Sequence, residues 1–266
     1  MPPTFTPSHR GGEGPPLVCL HGVTDTWRTW ELVLPALERE REVLAPTLAG
    51  HAGGPTIVGE PDSDTVVDAV ESAMEEAGFQ TADIVGNSLG GWVALQLAAR
   101  GRARSVVVMA PAGGWPAEDA TFGGTLEFFK TMQPLLKQAA PFADQILATP
   151  EGRRQATQYT VTNFDHIPAE LLGHQLVGAA SCDGLDRLIA LSERNGWQLD
   201  AERIECPVRV VWGTADRVLE WPSAATRFRD EWLPHADWVQ LEGIGHCPQL
   251  DVPAEAAQLI LGFSAP

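Results

Sequence analysis

Apolar and polar positions alternate along this chain in two distinct regimes. Leu17-Val18-Cys19-Leu20 is an apolar run too short for a helix, and it stops at His21-Gly22, which predicts a buried strand. Residues 30–40 read as a helix with Leu32, Leu34 and Leu37 on its apolar side, and Glu42 to Pro46 as the next strand, ended by its proline. A loop rich in glycine and proline spans 48–61. Ser63 or Asp64 then caps a predicted helix to Gly78 that turns Val66, Val67, Val70 and Met74 inward. Thr81 to Val85 reads as a strand running into Gly86-Asn87-Ser88-Leu89-Gly90-Gly91, and Leu89 to Arg100 is apolar and helix-prone. Ser105 to Met109 is a further strand. Strand and helix alternating in this way predict a parallel sheet covered on both faces, with the strand-end loops gathered on one edge.

From Trp115 to about Asp200 that alternation stops. Residues 125–139, 141–158, 168–181 and 185–195 all read as helices, with no strong strand among them. Strands resume at 208–213 and 237–241, and a helix at 253–261 follows. The expected organisation is one core built from 1–114 and 201–266, with 115–200 inserted as a helical lid over the strand-end loops. No internal repeat or low-complexity tract interrupts it.

Composition narrows the partners. A chain of 266 residues can bury a full core, and 35 Asp+Glu against 18 Lys+Arg give a formal net charge of −17. That balance repels phosphate backbones and anionic lipid, so neither nucleic acid nor a membrane surface is expected as a partner. No apolar stretch approaches the length of a membrane span, and the first residues, Met1 to Pro7, show no basic patch followed by an apolar run, so no leader is expected. Cys19, Cys182, Cys206 and Cys247 are scattered without a C-x-x-C pair, which disfavours disulfides and zinc and fits a cytoplasmic location.

The glycines two residues before and after Ser88 remove side chains where strand and helix nearly touch, so the serine stands at a sharp elbow with its hydroxyl clear of the sheet. A serine hydroxyl needs a base within reach and a group to orient that base. His246, in the loop after the 237–241 strand, is the candidate base, and Asp216, just past the 208–213 strand, is the candidate acid. Each alone has a bland reading, the histidine as a packing residue and the aspartate as a turn former. All three lie at strand ends in the order Ser, Asp, His. His21-Gly22-Val23-Thr24 supplies a fourth part: the N–H groups of Val23 and Leu89 are placed to receive an oxyanion. His21 itself reads as architectural.

With these residues in view the chain resembles the α/β-hydrolase superfamily, in its lidded serine hydrolase branch of esterases and lactonases. The motifs that carry the resemblance are His21-Gly22, Gly86-Asn87-Ser88-Leu89-Gly90, Gly213-Thr214-Ala215-Asp216 and Gly245-His246. The run from Pro46 to Gly54 is similar to the glycine-rich loop of such enzymes, with His51 architectural. The resemblance implies an α/β-hydrolase fold, no metal or organic cofactor, and hydrolysis of a small, largely apolar ester or lactone through an acyl-enzyme on Ser88. Dehalogenases and epoxide hydrolases of this scaffold carry aspartate at the elbow, so serine argues against them. Carbon–carbon hydrolases share the elbow but usually have a Ser-Gly-Pro-Gly run after His-Gly, where this chain has Val23-Thr24-Asp25-Thr26-Trp27. A hydroxynitrile-lyase-like or receptor-like member of the fold is a further alternative. Such proteins usually open with a β-hairpin, whereas only 16 residues precede Leu17 here, which implies a trimmed sheet edge. Thr24, Trp115, Phe128 and Cys247 are the candidate pocket residues, within a lid made apolar by Phe122, Phe129, Met132 and Phe142. Trp27, Trp30 and Trp92 are candidates from below. Cys247 reads as a packing residue rather than a reactive thiol.

Overall fold

Alternation of side chains along each central strand divides the core into two layers. In the computed structural model, which describes residues 3–116 and 119–263, Val18 and Leu20 of one strand join the cluster on one face, while Leu17 and Cys19 join the cluster on the other. The sheet has seven strands among the described residues: β1 (Ser8–Gly11), β2 (Pro16–Leu20), β3 (Glu42–Pro46), β4 (Ala82–Asn87), β5 (Ala103–Met109), β6 (Val208–Gly213) and β7 (Asp237–Leu241). Their order is β1-β3-β2-β4-β5-β6-β7, parallel throughout except β1, which runs antiparallel to β3. β2, β4, β5 and β6 are therefore interior strands, and their apolar runs are buried on both sides as parallel strands require. On the β3 side the outermost strand among the described residues is β1, a short strand whose half-exposed Ser-His-Arg-Gly sequence carries no apolar alternation and does not predict a strand.

Helices cover both faces. α1 (Leu34–Leu37) and, near the end of the chain, α10 (Pro253–Leu261) pack on one side through Leu37, Ala256, Ala257 and Ile260. α2 (Thr65–Glu76) and α3 (Leu89–Ala99) pack on the other through Val66, Val67, Val70, Met74, Val93 and Leu97. In place of a continuous helix over 30–40 there is a 3-10 turn at Trp27–Trp30, closed by the Thr26 side chain accepting from Arg28 N–H, and then the single turn of α1 with a proline in its first positions. That proline lacks the N–H needed to extend the helix backwards.

Between β5 and β6 the chain forms α4 (Ala120–Ala139), α5 (Ala143–Leu147), α6 (Pro150–Thr157), α7 (Ala169–Ala180) and α8 (Leu185–Asn195). The expected helix over 141–158 is broken at Thr149, whose hydroxyl caps α6 by accepting from Gly152 N–H at 3.0 Å. Near the C-terminal edge a short α9 (Pro248–Asp251) precedes α10. Of the spans expected from sequence, residues 1–2 of the core, 117–118 of the insertion and 264–266 of the second core segment lie outside the described residues.

The strand-to-helix elbow between β4 and α3 depends on close backbone approach. A Cβ at Gly86 would stand 2.1 Å from the Gly90 carbonyl oxygen, and one at Gly90 would stand 2.2 Å from that of Leu20. Both obstacles are backbone, so neither can swing away. Gly86→Ala is therefore expected to destabilise the protein by about 3 kcal/mol, or roughly 5–10 °C in Tm. A melting curve superimposable on wild type would contradict that packing.

Candidate active site

Ser88 lies between β4 and α3 with φ 56° and ψ −119°, a region that non-glycine residues seldom occupy. Three backbone hydrogen bonds hold it there. Its N–H donates to the Met109 carbonyl at 2.9 Å, and its own carbonyl accepts from Trp92 N–H at 3.1 Å and Ala112 N–H at 3.0 Å. Ser88, Asp216 and His246 are only 4%, 5% and 4% exposed, and Ser88 and His246 line a cavity. Ser88 Oγ has no hydrogen-bond partner among the described residues.

Asp216 sits in the turn after β6. Its Oδ1 accepts from the N–H groups of Val218 and Leu219, each at 2.8 Å, and its Oδ2 faces His246 Nδ1 at 2.7 Å. Two backbone donors thus fix the carboxylate in one orientation, and the carboxylate in turn holds the imidazole. With Nδ1 engaged, Nε2 is the free ring nitrogen. Ser88 and His246 line the same cavity without a hydrogen bond between them, a looseness common before substrate arrives.

The histidine loop is anchored from two sides by residues not singled out from sequence. Asn87, the neighbour of Ser88, donates through Nδ2 to the His246 carbonyl at 2.9 Å and to the Met109 carbonyl at 3.0 Å. Its Oδ1 accepts from Gln249 Nε2 at 3.1 Å and from Cys247 Sγ at 3.4 Å. On the other side buried Asp251 accepts from the N–H groups of Gly245 at 2.8 Å, Thr162 at 2.9 Å and Asn163 at 2.6 Å. The loop that carries the imidazole is thereby tied both to the serine elbow and to the segment ahead of α7. Asn87 ends β4 and Asp251 ends α9, where a short polar residue looks like a cap or turn former, so nothing local distinguishes these anchors.

Across from the imidazole, the N–H groups of Val23 and Leu89 find no acceptor among the described residues. Leu89 is the first residue of α3, at the positive end of the helix dipole. Val23 lies in a turn brought up against the serine by Gly22, where a Cβ would come within 3.2 Å of Ser88 Cβ, and Thr24 beside it has φ 66°. The turn is held by His21, whose ring nitrogens meet the Gly22 carbonyl at 2.7 Å and the Leu48 N–H at 2.8 Å. Burial holds the pKa of His21 well below its ordinary value, so the ring is neutral and can accept from Leu48. His51, beside it, is lowered to about 4 by burial.

Two cavities meet at Ser88. The larger, about 160 Å³, is lined by Thr24, Phe128 and Cys247 together with Ser88 and His246, under side chains of α4, α6 and α7. The smaller, about 60 Å³ and almost wholly apolar, is lined by Ser88 with Leu89, Ala112, Trp115, Phe122 and Leu126, and His246 is not part of its lining. Trp115 therefore stands apart from the other three pocket candidates. Trp27, Trp30 and Trp92 line neither cavity, and Phe142 is a surface residue, 55% exposed. Burial pushes the Cys247 thiol well above its ordinary pKa, which makes it a neutral packing group. Asp25 and Gln175, which line the larger cavity, were not among the candidates. Among the described residues no cluster of three or more His, Cys, Asp or Glu is placed to hold a metal ion, and no helix is long and apolar enough to cross a membrane.

Comparison with known proteins gives a consistent family. The model of the alpha/beta hydrolase family matches residues 17–259. A Mycobacterium tuberculosis protein named epoxide hydrolase EphH is 34% identical over 202 residues, 76% of this chain and 94% of that protein. The 2-hydroxymuconate semialdehyde hydrolase of a Pseudomonas species is 36% identical over 111 residues, 40% of this chain and 39% of that one. Among solved structures, one described as a membrane phospholipase A superposes with a TM-score of 0.75 at 23% identity, covering 96% of this chain and 81% of that one, a likeness of fold.

Proposed function

The chain belongs to the alpha/beta hydrolase family, and from that premise we propose that it is a serine hydrolase that cleaves carboxylic esters or lactones of small, largely apolar substrates. The observation that carries this reading is the 2.7 Å contact of His246 Nδ1 with an Asp216 carboxylate already fixed by two backbone N–H groups, in the cavity that Ser88 enters. His246 Nε2 takes the Ser88 proton as Oγ attacks the substrate carbonyl carbon. The N–H groups of Val23 and Leu89 receive the developing oxyanion, and loss of one such donor typically costs about 3 kcal/mol of barrier. The imidazolium, opposite Asp216, then protonates the leaving oxygen. Water, deprotonated by the same ring, releases the acid from Ser88.

The leaving oxygen takes its proton from His246, so the leaving group belongs in the larger cavity, which His246 lines. The acyl chain then points into the smaller one. A cavity of about 150 Å³ accommodates a benzene ring, so about 160 Å³ suits a compact leaving group and about 60 Å³ a short acyl chain. Across 4-nitrophenyl acetate, butyrate, hexanoate and octanoate, kcat/KM is expected to peak at acetate or butyrate and to fall at least tenfold by octanoate. Ala112→Leu, which fills the smaller cavity, should move the peak to acetate. A peak at octanoate in wild type would refute the placement of the acyl chain. We read 115–200 as a lid, since α4, α6 and α7 form the roof over Ser88. Four unpaired cysteines favour a reducing, cytoplasmic setting.

The relative named an epoxide hydrolase motivates a second reading. Attack of Ser88 Oγ on an epoxide carbon would form an ether, which water does not cleave, whereas a carboxylate nucleophile forms a hydrolysable ester. Serine therefore favours acyl transfer, and multiple turnovers on styrene oxide by the wild-type chain would reverse that preference. Carbon–carbon hydrolysis, motivated by the semialdehyde hydrolase, uses a serine as well and is tested by a vinylogous diketone.

A further inference from the structure

The turn that carries Val23 also carries a carboxylate into the larger cavity. Asp25 lines it together with Ser88 and His246. Asp25 Oδ1 accepts from Thr26 N–H at 2.8 Å, and Oδ2 accepts from Gln175 Nε2 of α7 at 3.2 Å. Among the described residues no lysine or arginine lines this cavity to offset the charge. The donors that line it are neutral: the hydroxyls of Thr24 and Tyr159 and the amides of Gln133 and Gln175, which already give one hydrogen each to the Cys182 carbonyl at 2.7 Å and to Asp25. Burial pushes the Asp25 carboxyl up to about 6, against hydrogen bonds from Thr26, Thr29 and Gln175, as expected of a charge without a counter-ion.

We propose that Asp25 determines leaving-group specificity: it admits neutral alcohols and phenols that carry a hydrogen-bond donor and turns away those that carry a carboxylate. The proposal rests on the ester-hydrolase reading and on placement of the leaving group beside His246. A substrate carboxylate entering this space would be stripped of water, would meet Asp25 at close range, and would find only neutral donors and no lysine or arginine to offset the repulsion. Like charges about 6 Å apart at an effective dielectric of about 20 repel strongly enough to lower occupancy roughly 100-fold. A neutral hydroxyl or amide in the same place donates to Oδ2 and loses nothing.

The test uses two esters with one acyl group, 4-(hydroxymethyl)phenyl butyrate and 4-carboxyphenyl butyrate, with kcat/KM measured for each on the whole chain. Wild type is expected to favour the neutral ester by roughly 100-fold. Asp25→Asn should shrink that ratio to below tenfold, mainly by raising kcat/KM on the anionic ester. Gln175→Arg, which brings a guanidinium to Asp25 from the α7 side, should shrink it too, and it keeps the test open if the Asn variant does not fold. A wild-type ratio near unity, or an unchanged ratio in both variants, overturns the role of Asp25 while leaving ester hydrolysis intact. If wild type cleaves neither these esters nor 4-nitrophenyl butyrate, the ester-hydrolase reading fails and the proposal fails with it.

Discussion

Ser88→Ala is expected to lower kcat on 4-nitrophenyl butyrate by about 10⁵-fold with little change in Tm. The magnitude follows from what survives: donors from Val23 and Leu89 remain, as does the cavity, and such remnants typically leave about 10³–10⁴-fold over uncatalysed hydrolysis. The stability follows from the elbow itself. Ser88 is held by hydrogen bonds of its backbone to Met109, Trp92 and Ala112, and its hydroxyl makes no hydrogen bond among the described residues that alanine would break. The strained φ of 56° persists in the variant, since alanine carries the same Cβ as serine. Steady-state kinetics beside a thermal melt check both halves. Hydrolysis within tenfold of wild type would remove Ser88 from the chemistry.

Asp216→Asn should fall almost as far, by roughly 10⁴-fold in kcat, and for a different reason. The Val218 and Leu219 N–H groups both need an acceptor, so the side-chain carbonyl oxygen of the introduced amide takes the place of Oδ1 and its NH₂ group turns towards His246. Facing a donor, Nδ1 must accept, which moves the ring proton to Nε2. The imidazole then points a proton at Ser88 instead of a lone pair and cannot act as base. Loss of the negative charge also removes the counter-ion of the imidazolium formed during attack. The measurement is kcat on the same ester across pH. A drop below tenfold would shift the orienting role to another acid.

How much of this was legible in the sequence depends on how local each feature is. The interior strands are readable because both faces of a parallel sheet are buried, so Val106 to Met109 and Val210 to Gly213 appear as unbroken apolar runs. The elbow was readable because Gly86 and Gly90 answer a steric demand set a few residues away. The edge strand β1 was not, since pairing on one side only leaves Ser8 to Arg10 half exposed and free of pattern. The break at Thr149 carries a local signal, since a threonine before proline marks a helix start, but the segments on both sides of it read as helix and hide the interruption. Trp115 and Phe128 share the apolar character that suggests one pocket, yet they line different cavities, a distinction set by packing between segments far apart in the chain. Asp25 and Asp251 were invisible for a similar reason. Each looks like a turn residue, and its weight comes from partners far along the chain, Gln175 for one and Thr162 and Asn163 for the other.

The account turns on one covalent bond between substrate and protein. Wild-type enzyme mixed with excess 4-nitrophenyl butyrate, quenched in acid within milliseconds and digested, should carry a butyryl group on the peptide containing Ser88, formed as fast as the nitrophenolate burst and absent from Ser88→Ala. Turnover without any adduct, or a butyryl group found on His246 or Cys247 instead, would contradict it.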